Sequence, residues 1–266
     1  MVYQVRETIR AAQSAQKAEQ SLTDLYYKWF DVVRCDTKEL IKKSQQLRYQ
    51  VYCLETGFED PAANSDGLEK DESDDHALHS LLIHRPSGMV AGTVRLIYPD
   101  HQRPHLGLPS YRVSPILTDG TDLDLPRDQT AEISRFSVSK AFRQRMDDGL
   151  YSTEVNDNTP EFLGRRALPS ITLGLMRAIV EMTRDAGMTH VTAVVEPALI
   201  RLLGKLGIRF DRTGETVNYH GIRYPVYRDM SELLAGIYRQ KPEIWHAITD
   251  GGRVWPLTAA QTRLLA

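Results

Sequence analysis

Three charged side chains stand inside apolar, strand-like runs, where an unpaired charge is costly. Glu132 and Arg135 interrupt residues 131–139 (AEISRFSVS), whose Ile133, Phe136 and Val138 suit a buried strand. Arg95 sits between Val94 and Leu96 in residues 89–98 (MVAGTVRLIY). Such charges form either a satisfied buried network or the polar floor of a cleft. In a cleft, Glu132 would serve as general base and an arginine as a fixed positive charge. Side chains alternate along a regular strand, so residues three apart point to opposite faces. The expectation is therefore a bulge or splay in this strand that leaves Glu132 facing the cleft.

A second cluster is acidic. Residues 59–76 (EDPAANSDGLEKDESDDH) contain Glu69-x-Asp71-x-x-Asp74, followed by Asp75, His76 and His79. A charge run of this length reads first as a solvated loop, then as an amine-binding or loop-ordering cluster. Metal ligation is the weakest reading, because structural metal sites show tighter ligand spacing, and no metal is expected. Arg48, Tyr52 and Glu55 fall at i, i+4 and i+7 and share a helix face, where an arginine at the edge can also simply snorkel. No Gly-x-Ser-x-Gly, Walker or dinucleotide fingerprint occurs, and neither cysteine has a nucleophile signature.

The elements that must position these groups follow from periodicity. Residues 4–21 are expected to form an N-terminal helix, and 25–35 read as a strand. Asp36-Thr37 should cap a helix to about Glu55, with Leu40, Leu47, Val51 and Leu54 as its buried stripe and Gly57 past its end. Residues 77–84 and 89–98 should pair as a hairpin around Pro86-Ser87-Gly88. Residues 99–129 and 147–161 read as loop. A long helix over 162–186, or two helices broken at Pro169, leads to a strand at 189–196 and a helix opened by Pro197. Short strands at 208–212, 216–220 and 223–228 follow, then helices at 231–238, capped by Ser231, and 242–248. Helices alternating with a central hairpin meander imply a mixed sheet covered on both faces.

Composition narrows the class. The 266 residues are 41% hydrophobic and 26% charged, with a formal net charge of −2, as in an ordinary soluble globular protein. The near-zero charge argues against nucleic acid as the main partner. No apolar run approaches the roughly 20 residues that span a bilayer, and the N-terminus lacks a signal-peptide core. Cys35 and Cys53 lack metal or redox spacing, so the reading is a reduced, cytoplasmic protein.

Taken together, LRYQVYCLETGFE, LEKDESDDHALH, AGTVRL and EISRFSVSKAFR resemble the acyl-homoserine-lactone (autoinducer) synthase superfamily. The likeness is strongest to its N-acyl amino acid synthase relatives associated with PEP-CTERM/exosortase systems, and VEPALIRLLGKLGIRF with YHGIRYPVY resembles that branch. The family's arginine and two aromatics fall on Arg48, Tyr52 and Phe58, and its acidic signature on Glu69, Asp71 and Asp74. Its strand arginine falls on Arg95 and its Glu-x-x-Arg on Glu132 and Arg135. The resemblance implies an α/β (α+β), GNAT-like fold: a splayed mixed sheet whose cleft admits a phosphopantetheine arm. It casts Glu132 as the base, Arg48, Tyr52 and Phe58 as walls of the acceptor pocket, and Asp71, Asp74 and Arg95 as an ion-paired support.

Two departures shape the reading. Phe58 stands where autoinducer synthases carry tryptophan, and the chain has terminal extensions, 1–24 and 231–266, around a 25–230 acyltransferase domain. Both favour an amino acid over S-adenosylmethionine as acceptor. The glycine-rich pyrophosphate loop of many GNAT enzymes is absent, and Lys140, Arg143 and Arg145 follow the strand instead. A basic patch beside the cleft suits an acidic acyl carrier protein. The expected function is transfer of a long acyl chain from acyl carrier protein to an amino-acid amine, with acyl-phosphopantetheine as co-substrate and no bound cofactor. Alternatives are a homoserine-lactone synthase using S-adenosylmethionine, and a non-catalytic acyl-carrier or acyl-lipid binding protein.

Overall fold

The computed structural model describes residues 21–104, 107–114, 117, 125–143 and 167–265. The expected N-terminal helix, the loop at 147–161 and Arg145 lie outside the described residues. Among the described residues, eight strands form one open sheet in the order β1-β2-β3-β4-β5-β8-β6, with β7 paired to β8. The strands are β1 (Phe30–Arg34), β2 (Ala77–His84), β3 (Val90–Ile97), β4 (Thr130–Val138), β5 (His190–Val195), β6 (Asp211–Arg212), β7 (Val217–Asn218) and β8 (Ile222–Asp229). Every pairing is antiparallel except β4 with β5.

The two faces of the sheet have different jobs. On one face, Leu82, Ala91, Val94, Leu96 and Ala131 pack against Ile171, Leu175, Met176 and Ile179 of the long helix α5 (Ala167–Asp185). Gly174 lets α5 lie close: a Cβ there would run into the side chains of Leu82 and Tyr26. Pro169 lies within α5, near the start of its described span, and the helix runs on through it to Asp185. Helices α7 (Met230–Gln240) and α8 (Pro242–Thr249) bury Leu233, Ile237, Ile244 and Trp245 in this same core. The other face carries the polar residues Thr93 and Arg95 of β3, and there α2 (Lys38–Arg48) lies across the sheet, Ser44 Oγ and Thr93 Oγ1 being 2.7 Å apart. Among the described residues no helix is long and apolar enough to cross a membrane.

Three local expectations are corrected. Residues 22–29 are helix, α1 (Leu22–Trp29), because Ser21 and Asp24 close a reciprocal capping box, and only Phe30–Arg34 is strand. The helix after Thr37 changes character at Tyr49, where a π-helical segment, Tyr49–Glu55, adds a residue to the turn. Cys53 therefore turns inward and Leu54, expected in the buried stripe, is 63% exposed. The cap of α7 is Asp229, whose side chain accepts the Glu232 N–H, and not Ser231. Thr37 caps α2 and Pro197 opens α6 (Pro197–Lys205), as expected from the sequence.

Candidate active site

The site is built around the parting of β4 from β5. These strands pair only at Thr130–His190, Ala131–Val191 and Glu132–Thr192. Beyond Glu132, β4 stays with β3 as far as Val138 and β5 stays with β8 as far as Val195. Glu132 thus stands at the apex of a V-shaped opening. The register with β3 slips at the same place: Thr93 faces Ser137 but Arg95 faces Ser134, so β4 carries one extra residue. Arg135 occupies the bulge with φ at 50°, the left-handed region. The extra residue brings Arg135 onto the polar face shared by Glu132 and Ser134, where Ser134 Oγ accepts from Arg95 Nε at 3.0 Å.

On that face three arginines and three carboxylates close an alternating ring. Arg48 donates to Glu69 (Nε to Oε2, 2.5 Å) and to Asp74 (Nη1 to Oδ1, 2.8 Å). Arg95 donates to the same Asp74 oxygen at 2.6 Å and to both oxygens of Asp71 at 2.6 and 2.9 Å. Arg135 closes the ring on Asp71 at 3.3 Å and Glu69 at 2.8 Å, and reaches Glu59 at 3.1 Å. The Asp71-x-x-Asp74 spacing works because the two residues cap the same short 3₁₀ turn reciprocally. Asp71 accepts the Ser73 N–H and Asp74 accepts the Asp71 N–H, so both side chains turn inward. The acidic run is therefore not a solvated loop at these positions: Glu69 is buried, and its neighbours are packed on the sheet.

The electrostatics follow from this pairing. Burial alone would raise the pKa values of Glu69, Asp71 and Asp74, but the guanidinium partners outweigh it and hold all three below the usual carboxylate range. His79, buried 3.6 Å from Asp74, is pushed down to about 4, by burial first and then by the Arg48 charge. Glu132 behaves in the opposite way. Among the described residues no guanidinium is bonded to it; its Oε2 takes the Ser110 N–H at 2.7 Å, and burial drives its pKa up against the Ser110 hydrogen bonds and the charges of Arg95 and Arg135. Ser110 lies in the short helix α3 (Pro109–Val113), which Arg112 ties to Glu72 of the acidic turn.

Apart from Glu132 at the apex, the described sequence-named residues fall into three places. Arg48, Glu69, Asp71, Asp74, Arg95 and Arg135 form the ring, and Tyr52 joins it with its ring 5.0 Å from the Arg135 guanidinium carbon. Arg48, expected to wall the acceptor pocket, is fully buried with its donors committed to Glu69 and Asp74; it shapes the pocket through those carboxylates. Phe58 is held apart from the ring, stacked on His220 at 4.7 Å with Arg223 over it at 5.9 Å. Lys140 and Arg143 lie on α4 (Lys140–Arg143) beyond the end of β4, and Arg143 is ion-paired with Glu55 of the π-helical segment, so the chain itself neutralises part of the expected patch.

Sequence reasoning missed Glu59, Ser110, Ser134, His220 and Arg223. Glu59 and Ser134 lie inside the motifs already singled out and were discoverable there. Ser110 lies in a stretch with no periodic signal, and His220 and Arg223 reach Phe58 only through the tertiary fold. No group of three or more His, Cys, Asp or Glu side chains suited to a metal ion occurs among the described residues.

Residues 47–151 match the family model described as an acetyltransferase (GNAT) domain, a span that holds every site residue named from the sequence. The fold is similar to that of the acyl-homoserine-lactone synthase LasI, at a TM-score of 0.51 and 17% identity over 79% of this chain and 93% of that one. It is also similar to TofI in a ternary complex with an inhibitor and MTA (TM-score 0.49, 19% identity, 78% and 95% covered). A third similar structure is FeeM, an N-acyl amino acid synthase from uncultured soil microbes (TM-score 0.48, 12% identity, 78% and 94% covered). No curated protein matches the sequence. The GNAT-like mixed sheet and the acyltransferase class expected from the sequence both hold.

Proposed function

We propose that this chain transfers an acyl group from a phosphopantetheine thioester on acyl carrier protein to the amine of an amino acid or similar small molecule. The observation that carries this reading is Glu132 at the apex of the splay, beside a buried ring that fixes the charges around it. Past the apex, β4 turns toward β5 an edge that β5 does not pair. An extended pantetheine arm, with its own amides, can add to such an edge as a strand would.

The chemistry follows from these positions. A neutral amine attacks the thioester carbonyl; the C–N bond forms, the C–S bond breaks, and sulfur leaves as thiolate. Backbone N–H groups along the free edge of β4 stabilise the oxyanion. The proton lost by the amine passes to Glu132, directly or through one water. Oε2 is fixed by the Ser110 N–H, which holds the carboxylate in place at the apex. A carboxylate whose pKa is raised by burial is a stronger base than a solvated one, which suits proton removal near neutral pH.

Incubation of the protein with acyl carrier thioester and a panel of amino acids, with S-adenosylmethionine as a separate arm, tests the reading by mass spectrometry of the products. An N-acyl amino acid is the expected product. An acyl-homoserine lactone in its place would transfer the reading to the lactone synthases. Tight acyl binding without thiol release would make the chain a binding protein. The carrier role of Lys140, Arg143 and Arg145 has its own test. Charge reversal at Arg143 and Arg145 should raise KM for the carrier thioester and leave a small thioester analogue unaffected.

A further inference from the structure

We propose that Arg223 binds the carboxylate of the acceptor and so selects an α-amino acid over a simple amine; this rests on the amine-acyltransferase reading above. Arg223 comes from the far end of the chain. The hairpin joining β7 to β8 turns through His220, whose φ of 51° is left-handed, and Gly221, whose φ is 97°. That turn sets the His220 ring against Phe58 at 4.7 Å with the planes 23° apart. Strained backbone held in place by packing is a feature of ligand clamps, and here it brings two polar side chains to the aromatic wall.

The choice of Arg223 follows from which cation is available. Among the described residues, the guanidinium groups over Tyr52 and Phe58 are those of Arg135 and Arg223. Arg135 is held by Glu59, Glu69 and Asp71. Among the described residues, Arg223 has one carboxylate partner, Glu196 at 3.0 Å, whose side chain is 52% exposed while that of Arg223 is 16% exposed. An exposed partner of this kind holds weakly and exchanges readily for a ligand carboxylate. The segment that carries Phe58 continues into Glu59, which pairs with Arg135 and is one carboxylate more than the ring needs to balance its three arginines. An acceptor with an amine at one end and a carboxylate at the other would thereby be oriented, its carboxylate on Arg223 and its amine left free to reach Glu132.

The test compares neutral amino acids with their carboxamides as acceptors, using one acyl thioester donor, in wild type, Arg223→Gln and Arg223→Lys. Wild type should favour the acids. In Arg223→Gln, KM for the acids should rise about tenfold or more with kcat retained, while KM for the carboxamides stays within about twofold. Arg223→Lys should restore part of the preference, which a merely structural role would not do. An unchanged acid-to-carboxamide ratio in Arg223→Gln overturns the inference, as does equal use of both by wild type, and amide product in either case leaves the acyltransferase reading standing. Absence of amide product from wild type with every amine overturns both.

Discussion

Glu132 and Arg135 stand three positions apart on one strand yet present their side chains to the same face of the sheet. The extra residue in β4 between its pairings with Arg95 and Thr93 makes this possible, and Arg135 takes the left-handed conformation at that step. The conformation itself is testable. A residue with a Cβ is destabilised by about 1–2 kcal/mol in the left-handed region, and glycine is not. Both Arg135→Ala and Arg135→Gly lose the ion pairs, but the glycine variant should be the more stable of the two by about 1 kcal/mol in denaturant melts. At Ile133, a regular strand position, the order should reverse. Equal stability of the two Arg135 variants would show that the bulge is not held in solution.

The closed ring makes each of its members expensive to remove alone. Arg48 is fully buried, so Arg48→Met leaves Glu69 and Asp74 short of a counter-charge. Loss of one partner from a buried ion pair typically costs about 3–5 kcal/mol, a large part of a domain's net stability. Arg48→Met combined with Glu69→Gln should cost clearly less than the two single losses added together. Urea melts of the four proteins provide the cycle, and strict additivity would mean that the two groups do not interact in solution.

His79 gives the ring a pH signature. Its folded pKa, about 4, lies below the ordinary value of 6.5, so the unfolded chain binds more protons between these two values. Stability should therefore rise with pH across this window, by about 3 kcal/mol from His79. His84, also held low by burial, adds a slope of the same sign. The ring carboxylates act at lower pH: their folded pKa values are depressed, so their contribution is complete above the unfolded value near 4 and is lost only as pH falls further. His79→Gln should accordingly flatten the slope between pH 4 and 6.5 and leave the acid limb in place. A slope unchanged in the variant would remove His79 as its source.

What could be read from the sequence was local or repeated. The β2–β3 pair, the capping role of Thr37 and the opening of α6 at Pro197 each rest on neighbouring residues. The bulge was legible as well, because two charges at an odd spacing on one strand posed a question that few geometries answer. The acidic run hid its nature because its counter-ions lie elsewhere in the chain: Arg135 is 66 positions from Glu69. Leu54 was misplaced because side-chain spacing alone cannot reveal a π-helical turn that shifts the stripe by one residue. Residues 25–29 misled for a different reason. Alternating aromatics mimic a strand, while the Ser21–Asp24 box that settles the helix lies at its edge.

Glu132→Gln separates chemistry from stability. As general base, Glu132 should contribute about 10²–10⁴-fold to turnover, and a variant within about tenfold of wild type would end that assignment. The stability effect has the opposite sign. Burial raises the folded pKa of Glu132 above its unfolded value, so the folded protein binds the extra proton and wild type loses stability as pH rises through that interval. A glutamine keeps an oxygen for the Ser110 N–H and never ionises, so it removes the buried charge without leaving the donor unpaired. The variant should therefore melt at a higher temperature than wild type at pH 8, with the gap closing toward pH 4 as wild-type Glu132 protonates in both states. Residues held against their own stability are expected where a site needs them, so an inactive but more stable Glu132→Gln protein is the outcome that marks this carboxylate as functional. A variant that is inactive and also less stable at pH 8 would instead assign Glu132 to the scaffold.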